Sequence, residues 1–149
     1  MHTHASRHDD KRAGAMRLFA LAPWEQLERL TESLADEPCQ ELRQPETGLV
    51  MLRGRMGATG APFNFGEATV TRCSVRLADG TEGHAYIMGS NAAHARRAAL
   101  CDAVFQVHPA KLSSVLRDIE AFIDAARRET AAKAAATKVD FFTMVRGDD

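Results

Sequence analysis

The spacing of apolar residues changes character along the chain and divides it into helical and extended stretches. From Ala13 apolar residues recur at helical spacing. Pro23, followed by Trp24, Leu27, Leu30 and Leu34, reads as the start of a second short helix, with proline at a tolerated first-turn position. Asp36, Glu37 and Pro38 break that pattern. Cys39 to Gln44 then reads as a short strand, Pro45 to Gly48 as a turn, and Leu49 to Met56 as the next strand. Alternation puts Val50, Leu52 and Met56 on one face of that strand and Met51, Arg53 and Arg55 on the other.

Glu67 to Leu77 and Glu82 to Met88 flank Ala78-Asp79-Gly80-Thr81, and an Asp-Gly pair between strands signals a hairpin with a type I′ turn. Such a two-residue turn pairs Leu77 with Glu82, Val75 with His84, Cys73 with Tyr86 and Thr71 with Met88. The opposite face then mixes Val70, Arg72, Ser74 and Arg76 with Ala85 and Ile87, a composition that asks for a cover. Ser90 or Asn91 caps a helix running to about Gln106, ended by His108 and Pro109. Leu112, Val115, Leu116, Ile119, Phe122, Ile123 and Ala126 form the stripe of a long amphipathic helix. Its continuation, Ala131 to Ala136, is helical by propensity but has little to bury. These elements predict an α+β fold: an antiparallel sheet of about four strands packed by N-terminal and C-terminal helices, mainly the long one from Leu112.

The two ends differ from this middle. Residues 1–12 are polar and histidine-rich and read as a mobile N-terminal tail, leaving 13–138 as a single α+β domain. Residues 139–149 are expected to be a docking segment. Phe141, Phe142, Met144 and Val145 offer an apolar patch there and Arg146 a charge contact, with Arg72 a further candidate for a partner interface.

At 149 residues the chain fits one domain, and 26% charged with 45% hydrophobic residues is an ordinary globular composition. Nineteen basic against twenty acidic residues give a net charge of -1, so there is no global positive field to attract nucleic acid. No apolar run approaches the ~18 residues of a membrane span, and the first residues lack the apolar core of a signal peptide. A cytoplasmic protein is expected. Cys39, Cys73 and Cys101 are odd in number and widely spaced, which fits neither a disulfide framework nor a metal motif.

Candidate chemistry is sparse. The glycine loop Gly57-Ala58-Thr59-Gly60 beside Arg53 and Arg55 is expected to be turn chemistry first, with a phosphate or nucleotide contact through Arg53, Arg55, Thr59 and Gly60 as the candidate alternative. His84 and His94 lack further ligands at metal-binding spacing, so structural roles are expected and no metal is assigned. Ser74, Cys73 and Cys101 have no base nearby in sequence, and no catalytic residue is assigned.

The segments ETGLVMLRGRMG, GAPFNFGE, TVTRCSVRL, the pair His94-Ala95, and VDFFTMVRG occur in this order between Glu46 and Gly147. Together they resemble the G-subunit family of the bacterial carbon-phosphorus lyase core complex, which breaks down organic phosphonates. Residues 1–45 carry little of the resemblance. It implies a required, non-catalytic subunit of alpha-D-ribose 1-methylphosphonate 5-triphosphate synthase, a transferase. The partners implied are the H, I and J subunits, two copies of each subunit including this one, and an ATP-binding-cassette-type protein. The implied reaction moves methylphosphonate onto C1′ of ATP and releases adenine, with ATP as substrate of the complex and no cofactor in this chain. No activity of the isolated chain is expected. The alternative is a free-standing nucleotide-binding or phosphate-binding module that uses the Gly57–Gly60 loop and its arginines.

Overall fold

The computed structural model describes residues 3–57 and 59–137. The expected docking segment 139–149, with Phe141, Phe142, Met144, Val145 and Arg146, lies outside the described residues. In chain order the elements are α1 (Thr3–Leu21), α2 (Trp24–Leu30), a 3-10 turn (Glu32–Leu34), β1 (Cys39–Arg55), β2 (Pro62–Leu77) and β3 (Glu82–Met88). They are followed by α3 (Ala92–Val107), a second 3-10 turn (Pro109–Leu112) and α4 (Ser113–Ala136). The α+β class is as the periodicity predicts. The strands form one antiparallel sheet in the order β1-β2-β3.

The sheet has three strands because Pro45 does not end the first one. β1 runs through Pro45 with register irregularities between Glu41 and Arg43 and between Arg43 and Glu46. As an edge strand it can carry a residue that donates no ladder hydrogen bond. The short strand, turn and second strand read from the sequence are therefore one long strand.

The Asp79-Gly80 hairpin forms, but one residue out of the expected register. Leu77 N–H donates to the Thr81 carbonyl at 2.9 Å and Gly80 N–H to the Leu77 carbonyl at 3.0 Å, which closes a three-residue loop over Ala78-Asp79-Gly80. Gly80 has φ 89°, the left-handed position that a type I turn followed by a bulge needs. The Asp79 carboxylate accepts from Thr81 N–H at 2.9 Å, and these contacts with Thr81 hold its pKa below the usual carboxylate range. The pairs become Arg76 with Glu82, Val75 with Gly83, Ser74 with His84, Cys73 with Ala85, Arg72 with Tyr86 and Thr71 with Ile87.

A slip of one residue turns every side chain of a strand over. Ala85 and Ile87 join Cys73 and Val75 in the core, while Glu82, His84, Tyr86 and Met88 face outward beside Arg72, Ser74 and Arg76. The outer face nearest the hairpin is thus a pair of polar rungs, Arg76 bonded to Glu82 at 2.6 Å and the Ser74 hydroxyl 2.9 Å from His84 Nδ1. Further along, Arg72 with Tyr86 and Val70 with Met88 keep a mixture of cationic and apolar groups, without the Ala85 and Ile87 expected there.

α3 covers the inner face, touching all three strands. Its buried residues include Ala95, Ala98, Ala99 and Ala103, small side chains that allow a close approach. Gly83 shows how close: a Cβ there would lie 2.7 Å from the Ala103 Cβ and nearer still to the Ala99 carbonyl oxygen. The helix starts where expected, with the Asn91 side chain accepting from His94 N–H at 2.9 Å. α1 packs on α3, and α4 packs on α1 and α2; the principal cover of the sheet is therefore α3 and not the long C-terminal helix. Only the start of the α4 stripe is core: Val115 and Ile119 are buried, whereas Phe122 is 42% exposed.

α1 begins at Thr3, inside the segment expected to be a tail. The reason lies in α3. Asp102 is fully buried and receives two hydrogen bonds from Arg12, Nε at 2.9 Å and a terminal nitrogen at 2.8 Å, and a third from His84 N–H at 2.9 Å. A polar helix with little apolar surface of its own is anchored through that carboxylate and, further along, through Ala15, Phe19 and Ala22.

Candidate functional site

β3 pairs with β2 only from Val70 to Arg76, so the distal halves of β1 and β2 continue as a two-stranded arm. Pairing runs from Leu49 opposite Thr69 to Arg55 opposite Pro62. At about 3.3 Å per residue the arm is roughly 20 Å long. None of the described residues between Gly48 and Thr69 is buried. Leu49, Met51, Met56, Phe63 and Phe65 are all exposed, Leu49 by 65%.

The arm has definite internal structure. A bulge between Leu52 and Arg53 leaves Phe65 as an extra residue on β2, and its ring covers Gly54, where a Cβ would lie 2.9 Å from a ring carbon. The Phe63 and Phe65 rings meet edge-on with centroids 6.2 Å apart. At the tip, Gly57 has φ 69°, and a side chain at Gly60 would collide with the Met56 carbonyl. Those glycines serve the turn.

Of the four residues read as phosphate contacts, Arg53 and Arg55 share one face of β1, two residues apart, while Thr59 and Gly60 lie in the tip turn. One contact joins the two groups: Arg55 donates to the Gly60 carbonyl at 3.3 Å. That is a carbonyl turned toward the guanidinium, whereas an anion cradle presents N–H groups.

Arg72, read as a partner contact, sits at the root of the arm. Its guanidinium and that of Arg43 both reach the Glu46 carboxylate, at 3.1 and 2.8 Å. Arg43 first and Arg72 second hold the Glu46 pKa below the usual range. Glu46, Thr47, Leu49, Val70, Arg72 and Tyr86 line an open cleft of about 520 Å³. Below it the buried Thr71 hydroxyl donates to the Gly89 carbonyl at 2.7 Å and meets the Thr47 hydroxyl at 3.0 Å.

The other chemistry-bearing groups are built into the frame. His94 is buried, with Nε2 2.8 Å from the Phe19 carbonyl and its ring 6.2 Å from Trp24. Burial pushes the Cys101 thiol up to about 12 and the Cys73 thiol up to about 11. No group of three or more His, Cys, Asp or Glu at metal-holding distance occurs among the described residues. Two important carboxylates were not singled out from sequence: Asp102, and Glu41, which bonds Arg96 at 2.6 Å. A single acid within the apolar run Ala98 to Phe105 was a usable signal for the first.

A family model described as phosphonate metabolism protein PhnG matches residues 10–147. The chain belongs to the PhnG family. The match takes in residues 10–45, which the motifs do not reach. A protein of Rhizobium meliloti (strain 1021), named alpha-D-ribose 1-methylphosphonate 5-triphosphate synthase subunit PhnG, is 46% identical over 142 residues, covering 93% of this chain and 91% of its own length. The family match makes this a protein of phosphonate metabolism. Among the described residues no helix is long and apolar enough to cross a membrane.

Proposed function

We propose that this chain is the G subunit of a cytoplasmic carbon-phosphorus lyase core complex, required for the transfer of methylphosphonate to C1′ of ATP with release of adenine. The observation that carries this reading is the family match over residues 10–147, together with a 46% identical relative named as a subunit of the synthase. A phosphonate oxygen forms the new bond to C1′, the bond from C1′ to the adenine nitrogen breaks, and the triphosphate stays on the ribose.

This chain supplies docking surface to that reaction. Asp102, His94, Cys73 and Cys101 are each buried and engaged in packing or hydrogen bonds of the fold, which supports a role without reactive groups. The partners are the H, I and J subunits, two copies of each subunit, with an ATP-binding-cassette-type protein joining them. ATP is a substrate of the assembly.

The test is expression of the chain alone and together with H, I and J, followed by measurement of mass and of adenine released from ATP and methylphosphonate. The full set should release adenine, the isolated chain should not, and omitting this chain should abolish the activity. Turnover by the isolated chain, or full activity without it, would refute the reading. Saturable ATP binding by the isolated chain, lost in Arg53→Ala/Arg55→Ala, would favour a free-standing nucleotide module instead.

A further inference from the structure

A two-stranded ribbon with no third strand and no covered face is marginally stable in water at best. The arm of β1 and β2 is such a ribbon, and both its apolar content and its charge are left open. Leu49, Met51, Arg53 and Arg55 alternate onto one face, with Leu49 and Met51 more than half exposed. Arg53 and Arg55 are the charged residues of the distal arm, between Thr47 and Gly66; the arm's one carboxylate, Glu67, lies nearer the root opposite Met51. Elsewhere in the sheet the chain neutralises its own arginines: Arg43 and Arg72 pair with Glu46, and Arg76 pairs with Glu82. Among the described residues Arg53 and Arg55 have no carboxylate partner.

The pattern is selective. Charges at the root are paired within the chain, and those on the arm are not. A second copy of the same arm would bring two more arginines against a single carboxylate, Glu67, leaving the interface net positive, and like charges brought together in an interface are costly. The occupant must bring carboxylates as well as apolar surface.

We infer that the arm inserts into a groove on a different protein subunit, apolar where it meets Leu49 and Met51 and lined with Asp or Glu where it meets Arg53 and Arg55. This rests on the subunit reading above and adds to it the element that docks and the chemistry of its receptor. The bulge at Phe65, with its ring over Gly54, shapes the opposite face.

The experiment co-expresses the chain with the H, I and J subunits and measures recovery of the complex by affinity capture, along with adenine release. The variants are Arg53→Glu/Arg55→Glu and Met51→Asp, whose sites are exposed and should leave the fold intact by circular dichroism and melting temperature. Each should lower recovery about tenfold or more. Recovery with the wild-type chain should also fall between about 0.05 and about 0.5 M salt, because the arginine contacts are screened.

Undiminished assembly of both variants would overturn the proposal. So would intact assembly of the arginine variant with adenine release lost, which would assign Arg53 and Arg55 to substrate phosphate. Failure of the wild-type chain to assemble at all would instead remove the subunit reading, and the receptor with it.

Discussion

Replacing Asp102 by alanine should release α1 from the rest of the molecule, and the size of the effect follows from what the carboxylate holds. The residue is fully buried, while the side chain of Arg12 is 29% exposed. Its removal takes the acceptor from the His84 N–H in a part-buried bond, at a cost of about 1 kcal/mol, the lower end for a donor left without acceptor. It also takes from Arg12 its Asp102 partner. Breaking a buried pair costs about 3–5 kcal/mol, but a partly exposed guanidinium regains water, so the lower end applies.

A loss of about 3 kcal/mol is expected, which for a chain of this size lowers the melting temperature by about 6–12 °C. Asp102→Asn keeps an acceptor for His84 N–H and should lose about half as much. Thermal melting gives the magnitude, and hydrogen exchange gives the location: amides of α1 should exchange faster in the alanine variant than those of α3. An Asp102→Ala chain within about 0.5 kcal/mol of wild type, the range of an ordinary surface change, would refute the anchoring role.

Other outcomes follow from the same frame. Gly83→Ala should cost about 2–3 kcal/mol, because the new Cβ has to push α3 away from the sheet, whereas Gly14→Ala, with open space around it in α1, should stabilise by about 0.5–1 kcal/mol; urea unfolding of the two variants checks the contrast. Thr71→Val should lose about 1–2 kcal/mol by leaving the Gly89 carbonyl without its donor, measurable in the same titration. With Cys73 and Cys101 raised to about 11 and about 12, the fold favours their neutral forms. That contribution is full below the ordinary thiol pKa and is lost as pH rises toward those values, so melting temperature should drop above about pH 9, less steeply in Cys101→Ala than in wild type. Deleting residues 139–149 should abolish co-purification with the H, I and J subunits while leaving the circular dichroism nearly unchanged; normal assembly of the shortened chain would count against a docking role for that segment.

Much of the fold was legible because it depends on local signals. Asn91 before an apolar helix, His108-Pro109 after it, and Asp79-Gly80 between two β-rich runs act through the nearest few residues, and each marked its element. The register of the hairpin was not legible. Asp-Gly serves both a two-residue turn and a three-residue turn with a bulge, and the choice belongs to whichever strand face can pack. Gly83, Ala85 and Ile87 fit under the alanines of α3; Glu82, His84 and Tyr86 do not.

The same division holds for the candidate site. Alternation put Arg53 and Arg55 on one face, and the glycines at 57 and 60 announced a tight turn. The sequence could not show that β3 stops short at its pairing with Val70, which is what turns two ordinary strands into an exposed arm. Nor could it show that Arg72 is already held by Glu46.

By itself, then, the sequence determined the α+β class, the starts of α2, α3 and α4 and the motifs of the family, because each is written in neighbouring residues. Only the tertiary structure decided that residues 3–12 form part of a helix, that Pro45 is carried within a strand, and which face of β3 is core. Those outcomes turn on Asp102 meeting Arg12, on an edge position for β1, and on a one-residue slip beneath α3. They depend on contacts between residues far apart in the chain, where periodicity has no reach.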